Sequence, residues 1–299
     1  MSLLKQSYYG TYTALVTPFR NGKVDEAAFA QLIRLQIKAG GEGIVPVGTT
    51  GESPTLDYEE HLKVIELAVQ HARGKVKVVA GTGANSTKEA VYLTCEAEKR
   101  GADASLQVAP YYNKPTQEGL YQHFRKVAEA TRLPIILYSI PGRCGVEIGV
   151  ETVARLAQDC SNIMGIKEAG GNADRVSQLR SVVPKEFVIL SGDDSLTLPF
   201  MAVGAAGVVS VASNLIPKQV AQMVRAFLNG DLLKAQLLHQ RYYPLFKDLF
   251  IETNPVPVKT ALAMLGLIQE EVRLPLVGLS AKNREVLRQT LVKCGLLAR

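Results

Sequence analysis

Hydrophobic positions along the chain alternate between two textures. Short, nearly unbroken apolar runs fall at 11–16, 43–47, 76–80, 104–109, 134–140, 163–167, 187–191 and 207–211. Runs of this kind match strands buried on both faces, as in a parallel sheet. Between them lie longer stretches with apolar residues at every third or fourth position, at 26–39, 58–71, 88–99, 118–130, 150–157, 173–182 and 196–203. These match amphipathic helices. Eight strand signals separated by helical ones predict a (β/α)8 TIM barrel, an α/β fold.

A doubly wound open sheet is the structural alternative, but its first strand normally runs into a glycine-rich phosphate turn. Thr17-Pro18-Phe19 follows the first strand here. After Ile216 the strand signal stops and helical patterns continue at 218–227, 232–250, 256–267 and 282–294. The first of these completes the eighth unit. The expected organisation is a barrel over 1–228 with a C-terminal helical domain over 229–299.

Composition narrows the class. The 299 residues suit one barrel, which takes roughly 250, and 47% hydrophobic with 21% charged is ordinary globular composition. No apolar run approaches the roughly 20 residues a membrane crossing needs, so no membrane partner is expected. Met1 to Gln6 has no apolar targeting core. The net charge of +6 is scattered rather than gathered into an arm, which argues against nucleic acid. Cys95, Cys144, Cys160 and Cys294, with His61, His71, His123 and His239, show no metal-ligand spacing. The expectation is reduced thiols, a cytoplasmic setting and no metal.

Barrel enzymes place their reactive groups where strands end. That rule selects Gly48-Thr49-Thr50-Gly51-Glu52-Ser53, Pro110-Tyr111-Tyr112-Asn113, residues 138–143, Lys167 and Gly192-Asp193-Asp194. Lys167 closes the apolar run Ile163-Met164-Gly165-Ile166. An amine held there loses solvation, its pKa falls, and it can condense with a ketone to form an imine; otherwise it simply ends a strand with its head in solvent. Tyr138, on the neighbouring strand, can move protons. Thr49 and Tyr112 can extend that path, because a hydroxyl both donates and accepts. Thr50 and the N–H groups of its loop can hold a carboxylate, and Arg143 offers a planar fork for a second one. Asp193 and Asp194 are expected to cap the helix after strand seven. Cys144 has no activating partner in sight and is expected to be inert.

With these residues assembled, the chain resembles the dihydrodipicolinate synthase and N-acetylneuraminate lyase family of pyruvate-dependent class I aldolases. The resemblance is carried by Gly48-Thr49-Thr50-Gly51-Glu52-Ser53, Pro110-Tyr111-Tyr112-Asn113-Lys114-Pro115, Leu137-Tyr138, Pro141-Gly142-Arg143, Gly165-Ile166-Lys167-Glu168, Ser191-Gly192-Asp193-Asp194 and Asn254-Pro255-Val256-Pro257-Val258-Lys259, and runs over nearly the whole length. Arg143 and the Tyr111-Tyr112 pair resemble the branch that uses aspartate semialdehyde. Ser139 stands where the family often has asparagine, and Cys144 where threonine is usual.

The resemblance implies an enzyme that condenses pyruvate with L-aspartate 4-semialdehyde without metal or organic cofactor. Lys167 would form the imine, Thr49, Tyr112 and Tyr138 would be the proton relay, and the Val209 carbonyl would face the substrate. It also implies that a neighbouring subunit lends the Tyr112 phenol, within a homotetramer built as a dimer of dimers. L-Lysine would bind as an effector at Ser53, His61, Asn85, Glu89 and Tyr111, with Tyr58 replacing a more usual histidine. Otherwise His61 and Glu89 are solvated helix faces. Two readings compete with the synthase: a 2-keto-3-deoxy-sugar-acid aldolase using the same imine, which Arg143 argues against, and a non-catalytic lysine or 2-oxo-acid binding protein, which would not need the amine.

Overall fold

A computed structural model describes residues 8–298; the opening segment 1–7, read above for a targeting signal, lies outside them. Eight strands form a closed, all-parallel barrel: β1 (Gly10–Ala14), β4 (Gly43–Val45), β5 (Lys77–Gly81), β6 (Ala104–Val108), β7 (Ile135–Ser139), β8 (Ile163–Glu168), β9 (Val188–Ser191) and β10 (Gly207–Ser210). Each pairs with its neighbour in the chain, and β1 closes the ring between β4 and β10. The seam is tight. At Gly207, φ is +154° and a Cβ would sit 1.9 Å from the Gly10 carbonyl oxygen, so only glycine permits the approach.

The helices fall where the periodicity put them: α1 (Glu26–Ala39), α2 (Tyr58–Ala72), α3 (Thr87–Lys99), α4 (Gln117–Glu129), α6 (Val150–Asp159), α7 (Ala173–Val182), α8 (Thr197–Ala202) and α9 (Pro217–Leu228). In α1, Phe29, Leu32, Ile33 and Gln36 form the buried stripe. Asp25 caps its start by accepting from the Ala28 N–H, and Gly40 ends it in the left-handed conformation. After the barrel come α10 (Leu232–Asp248), α11 (Val256–Met264) and α12 (Ala281–Lys293).

Three local features depart from the sequence reading. The strand expected over 43–47 stops at Val45, because Pro46 has no N–H to give the ladder and Val47 turns to a φ of 50°. A small antiparallel hairpin, β2 (Phe19–Arg20) with β3 (Lys23–Val24), follows β1. Pro141-Gly142-Arg143 begins a single helical turn, α5 (Pro141–Cys144), rather than a loop.

The post-barrel segment is pinned to the barrel by an ion pair out of water. Lys259 Nζ lies 2.5 Å from Glu52 Oε1, and each side chain is 1% exposed. The Arg273 N–H gives the same carboxylate a second donor at 3.1 Å, and its guanidinium binds Glu60. Such pairs are costly to halve, because the surviving charge stays buried alone. Lys259→Met is therefore expected to lower unfolding free energy by about 3–5 kcal/mol, read as a fall in the urea midpoint. Pairing it with Glu52→Gln should recover much of the loss; no recovery would mean that Lys259 acts through packing instead.

Candidate active site

The register of three strands assembles the centre of the site. Lys167 on β8 pairs with Tyr138 on β7 and Leu190 on β9, so amine and phenol stand side by side. Lys167 Nζ lies 3.9 Å from the centroid of the Tyr138 ring, and Lys167 is only 7% exposed. Burial pulls its pKa down to about 7; the Arg143 guanidinium pushes the same way, and the Asp194 carboxylate resists. Near neutral pH a large fraction of this amine carries a free lone pair. Gly192 makes room for it, since a Cβ there would lie 3.1 Å from Lys167 Cε and 2.6 Å from the Ala169 Cβ.

Tyr138 is the complement. Burial raises its phenol to about 12, with Arg143 and a hydrogen bond with Thr49 pulling back, so it keeps its proton at neutral pH. Above it opens a cavity of about 210 Å³ walled by Gly48, Thr49, Ser53, Leu106, Val108 and Tyr111, with Tyr138, Arg143 and Cys144 also on its wall. Lys167 is not part of that wall; Tyr138 is. Thr50 is buried beside it, its hydroxyl accepting from Asn254 Nδ2 at 3.0 Å, and exposed Arg143 donates to the Asn254 carbonyl at 3.2 Å. Val209 is buried in β10, opposite Tyr12 of β1.

Tyr112 does not join this group within the chain. It is 89% exposed with a φ of 73°, rare for an aromatic residue. Five of the six residues expected to bind lysine, Ser53, Tyr58, Asn85, Glu89 and Tyr111, gather at one rim. Tyr58 is hydrogen-bonded to Glu89, whose charge raises the Tyr58 pKa; burial raises Tyr111, with Glu89 adding to it. Asn85 Nδ2 donates to the Tyr111 carbonyl at 3.2 Å, and Ser53 and Tyr111 line the cavity. His61 is no solvated face. It is 6% exposed, with Nε2 2.9 Å from the Gly81 carbonyl, and burial drops its pKa to about 4.

The expectation for the two aspartates needs correction. Asp194 does not cap the helix that follows it: Leu196 occupies the N-cap position of α8, which has no side-chain cap. Its carboxylate instead accepts from the Ser210 hydroxyl and from the N–H groups of Val211 and Ala212, both at 2.9 Å, tying the exit of β9 to the exit of β10. Burial raises its pKa to about 6. Asp193 accepts from Ser195 through both N–H and hydroxyl. Cys144 is buried, and burial pushes its thiol up to about 11, away from reactivity. Sequence reading assigned no role to Asn254, Glu52 or Lys259, although all three lie in motifs that it singled out. Among the described residues, no cluster of three or more His, Cys, Asp or Glu could hold a metal, and no helix is long and apolar enough to cross a membrane.

A closed barrel with a buried, readily deprotonated lysine at a strand end, next to a protonated phenol, belongs to the Schiff-base-forming lyases of the class I aldolase type. The chain belongs to the dihydrodipicolinate synthetase family, whose model matches residues 7–294. It is 55% identical to the 4-hydroxy-tetrahydrodipicolinate synthase of Sulfurihydrogenibium sp. (strain YO3AOP1), covering 97% of this chain and 99% of that one. The solved 4-hydroxy-tetrahydrodipicolinate synthase of Methylacidiphilum fumariolicum SolV is 58% identical with a TM-score of 0.95, over 96% of both chains. The enzyme from Cyanidioschyzon merolae, solved with lysine bound, is 42% identical with a TM-score of 0.95, over 97% of this chain and 99% of that one.

The charges around Lys167 generate a prediction. Labelling of the protein by pyruvate and borohydride should rise with pH through about 7 as the amine loses its proton. Because the Arg143 guanidinium helps to lower that pKa, Arg143→Ala should move the inflection upward. A downward or absent shift in the pH profile of labelling rate would show that Arg143 does not act on the amine.

Proposed function

We propose that the protein is a 4-hydroxy-tetrahydrodipicolinate-forming enzyme that condenses pyruvate with L-aspartate 4-semialdehyde through an imine on Lys167. The observation that carries the assignment of the nucleophile is the buried amine 3.9 Å from the Tyr138 ring. Its nitrogen adds to the pyruvate ketone carbon, and the carbinolamine loses water once a proton reaches its hydroxyl. Tyr138 is the nearest phenol to supply that proton. Loss of a methyl proton gives an enamine, whose carbon forms the new C–C bond at the aldehyde. The amino group of the acceptor then adds to the imine carbon, closes the ring and releases Lys167 as a free amine. The family membership and the product named by the related synthases support this chemistry.

Thr50 and its loop take the pyruvate carboxylate in this reading, and Arg143 takes the acceptor's. The Val209 carbonyl faces the substrate. Thr49, bonded to Tyr138, passes the proton to a Tyr112 phenol lent by a neighbouring subunit; an 89% exposed tyrosine is free to be lent. That supports a dimeric working unit, assembled as a homotetramer. The barrel over 1–228 would carry the chemistry, and the helical domain over 229–299 would brace it, in a cytoplasmic biosynthetic enzyme. Lysine would act at the rim formed by Ser53, Tyr58, Asn85, Glu89 and Tyr111, with His61 holding the Gly81 carbonyl behind it. The lysine-bound relative supports the effector. A 2-keto-3-deoxy-sugar-acid aldolase would need hydroxyl-binding groups where Arg143 stands, and a mere binder has no use for the amine.

Three experiments test these assignments. Lys167→Ala should abolish pyruvate labelling with the fold retained by circular dichroism; full labelling of the variant would move the nucleophile elsewhere. Arg143→Ala should lower kcat/KM for the semialdehyde by about tenfold to a hundredfold while the variant still forms the pyruvate imine; equal loss in both steps would assign the guanidinium a structural role. For regulation, calorimetry should detect lysine binding to the wild type and its loss in Glu89→Ala, because the effector ammonium loses its carboxylate partner. Equal binding by both proteins would place the effector elsewhere.

A further inference from the structure

The segment between α10 and α11 reaches the site through one side chain. Asn254 is 5% exposed, its Nδ2 donates to Thr50 Oγ1 at 3.0 Å, and its backbone carbonyl accepts from Arg143 at 3.2 Å. One residue thus touches both groups assigned to the two carboxylates. We infer that Asn254 is a positioning residue for both substrates: its amide makes Thr50 a hydrogen-bond donor toward the pyruvate carboxylate, while its backbone carbonyl aims Arg143 at the acceptor. The inference rests on the roles proposed above for Thr50 and Arg143.

The direction of one proton decides what Thr50 offers an anion. A hydroxyl has one proton and two lone pairs. With one lone pair of Thr50 filled by the amide N–H, the Thr50 proton points away from Asn254 and is available to an anion. An acceptor in place of the amide N–H would draw that proton back and leave a lone pair facing the carboxylate. Asn254 Oδ1 has no hydrogen-bond partner among the described residues although it is buried. Leaving a buried acceptor unpaired is a concession that stability alone does not favour. The contact is also held in place: Glu52, close after Thr50, and Lys259, close after Asn254, form the buried ion pair, so the same two segments are joined twice.

The test compares Asn254→Ala with Asn254→Asp in the full-length enzyme, by steady-state kinetics in both substrates, pyruvate and borohydride labelling, and thermal unfolding. Asn254→Ala should raise the pyruvate KM about tenfold and the semialdehyde KM much less, because the carbonyl that binds Arg143 is backbone and survives. Asn254→Asp keeps the shape but accepts the Thr50 proton and adds a negative charge, so its pyruvate KM should rise further still. A structural role predicts the opposite order, with the isosteric aspartate tolerated better than alanine, and that result would overturn the inference. Should either variant not fold, Thr50→Val supplies the same information from the other side. It removes the aimed proton and should raise the pyruvate KM comparably; an unchanged KM would sink the inference. Failure to label Lys167 in the wild type would instead remove the catalytic reading, and this inference with it.

Discussion

Taking the Lys167 ammonium out of water is the constraint on which the site depends. An ammonium is strongly hydrated, so a 7% exposed position penalises the charged form and favours the neutral amine. The fold supplies the burial through neighbours that belong to different βα units. Tyr138 covers the amine from β7, Gly192 after β9 leaves it room, and Asp194 ties the β9 exit to the β10 exit across the same end of the barrel. No one of these segments could desolvate a lysine alone. Barrel closure brings them together.

A second lysine shows that burial by itself is not enough. Lys259 is even less exposed than Lys167, and desolvation lowers its pKa as well, but Glu52 sits 2.5 Å away and pulls in the opposite direction. That lysine is a fastening. Around Lys167 the nearby charges include the Arg143 cation, which works with burial, and Asp194, whose own burial raises its pKa to about 6. The two lysines differ less in solvent access than in the sign and distance of what stands beside them. Glu168 and Arg175 make another buried pair, on the residue after Lys167, and hold α7 to the end of β8.

The barrel was legible because its strands are continuous apolar runs and its helices carry regular stripes, both local signals. Placing Lys167 next to Tyr138 followed from strand order, since consecutive βα units put consecutive strands side by side. What escaped was either very short or non-local. The two-residue strands of the hairpin and the single turn at Pro141 are below the length at which periodicity speaks. Lys259 and Glu52 are 207 positions apart, and Thr50 and Asn254 are 204 apart; no local pattern links such residues. His61 could have been read better. With Val64, Ile65, Ala68 and Ala72 it occupies the buried stripe of α2, and that spacing was visible in the sequence.

Tyr112 carries a different kind of consequence. Its ring lies 89% in solvent, on backbone with a left-handed φ of 73°, so the chain displays the phenol outward instead of folding it home. On the reading proposed above, in which this phenol completes the site of a neighbouring subunit, it works only on another copy. In that proposal turnover per molecule would depend on how many molecules share the solution: dilution alone would switch the catalyst off, and a cell would set its flux by the abundance of the protein more steeply than in proportion.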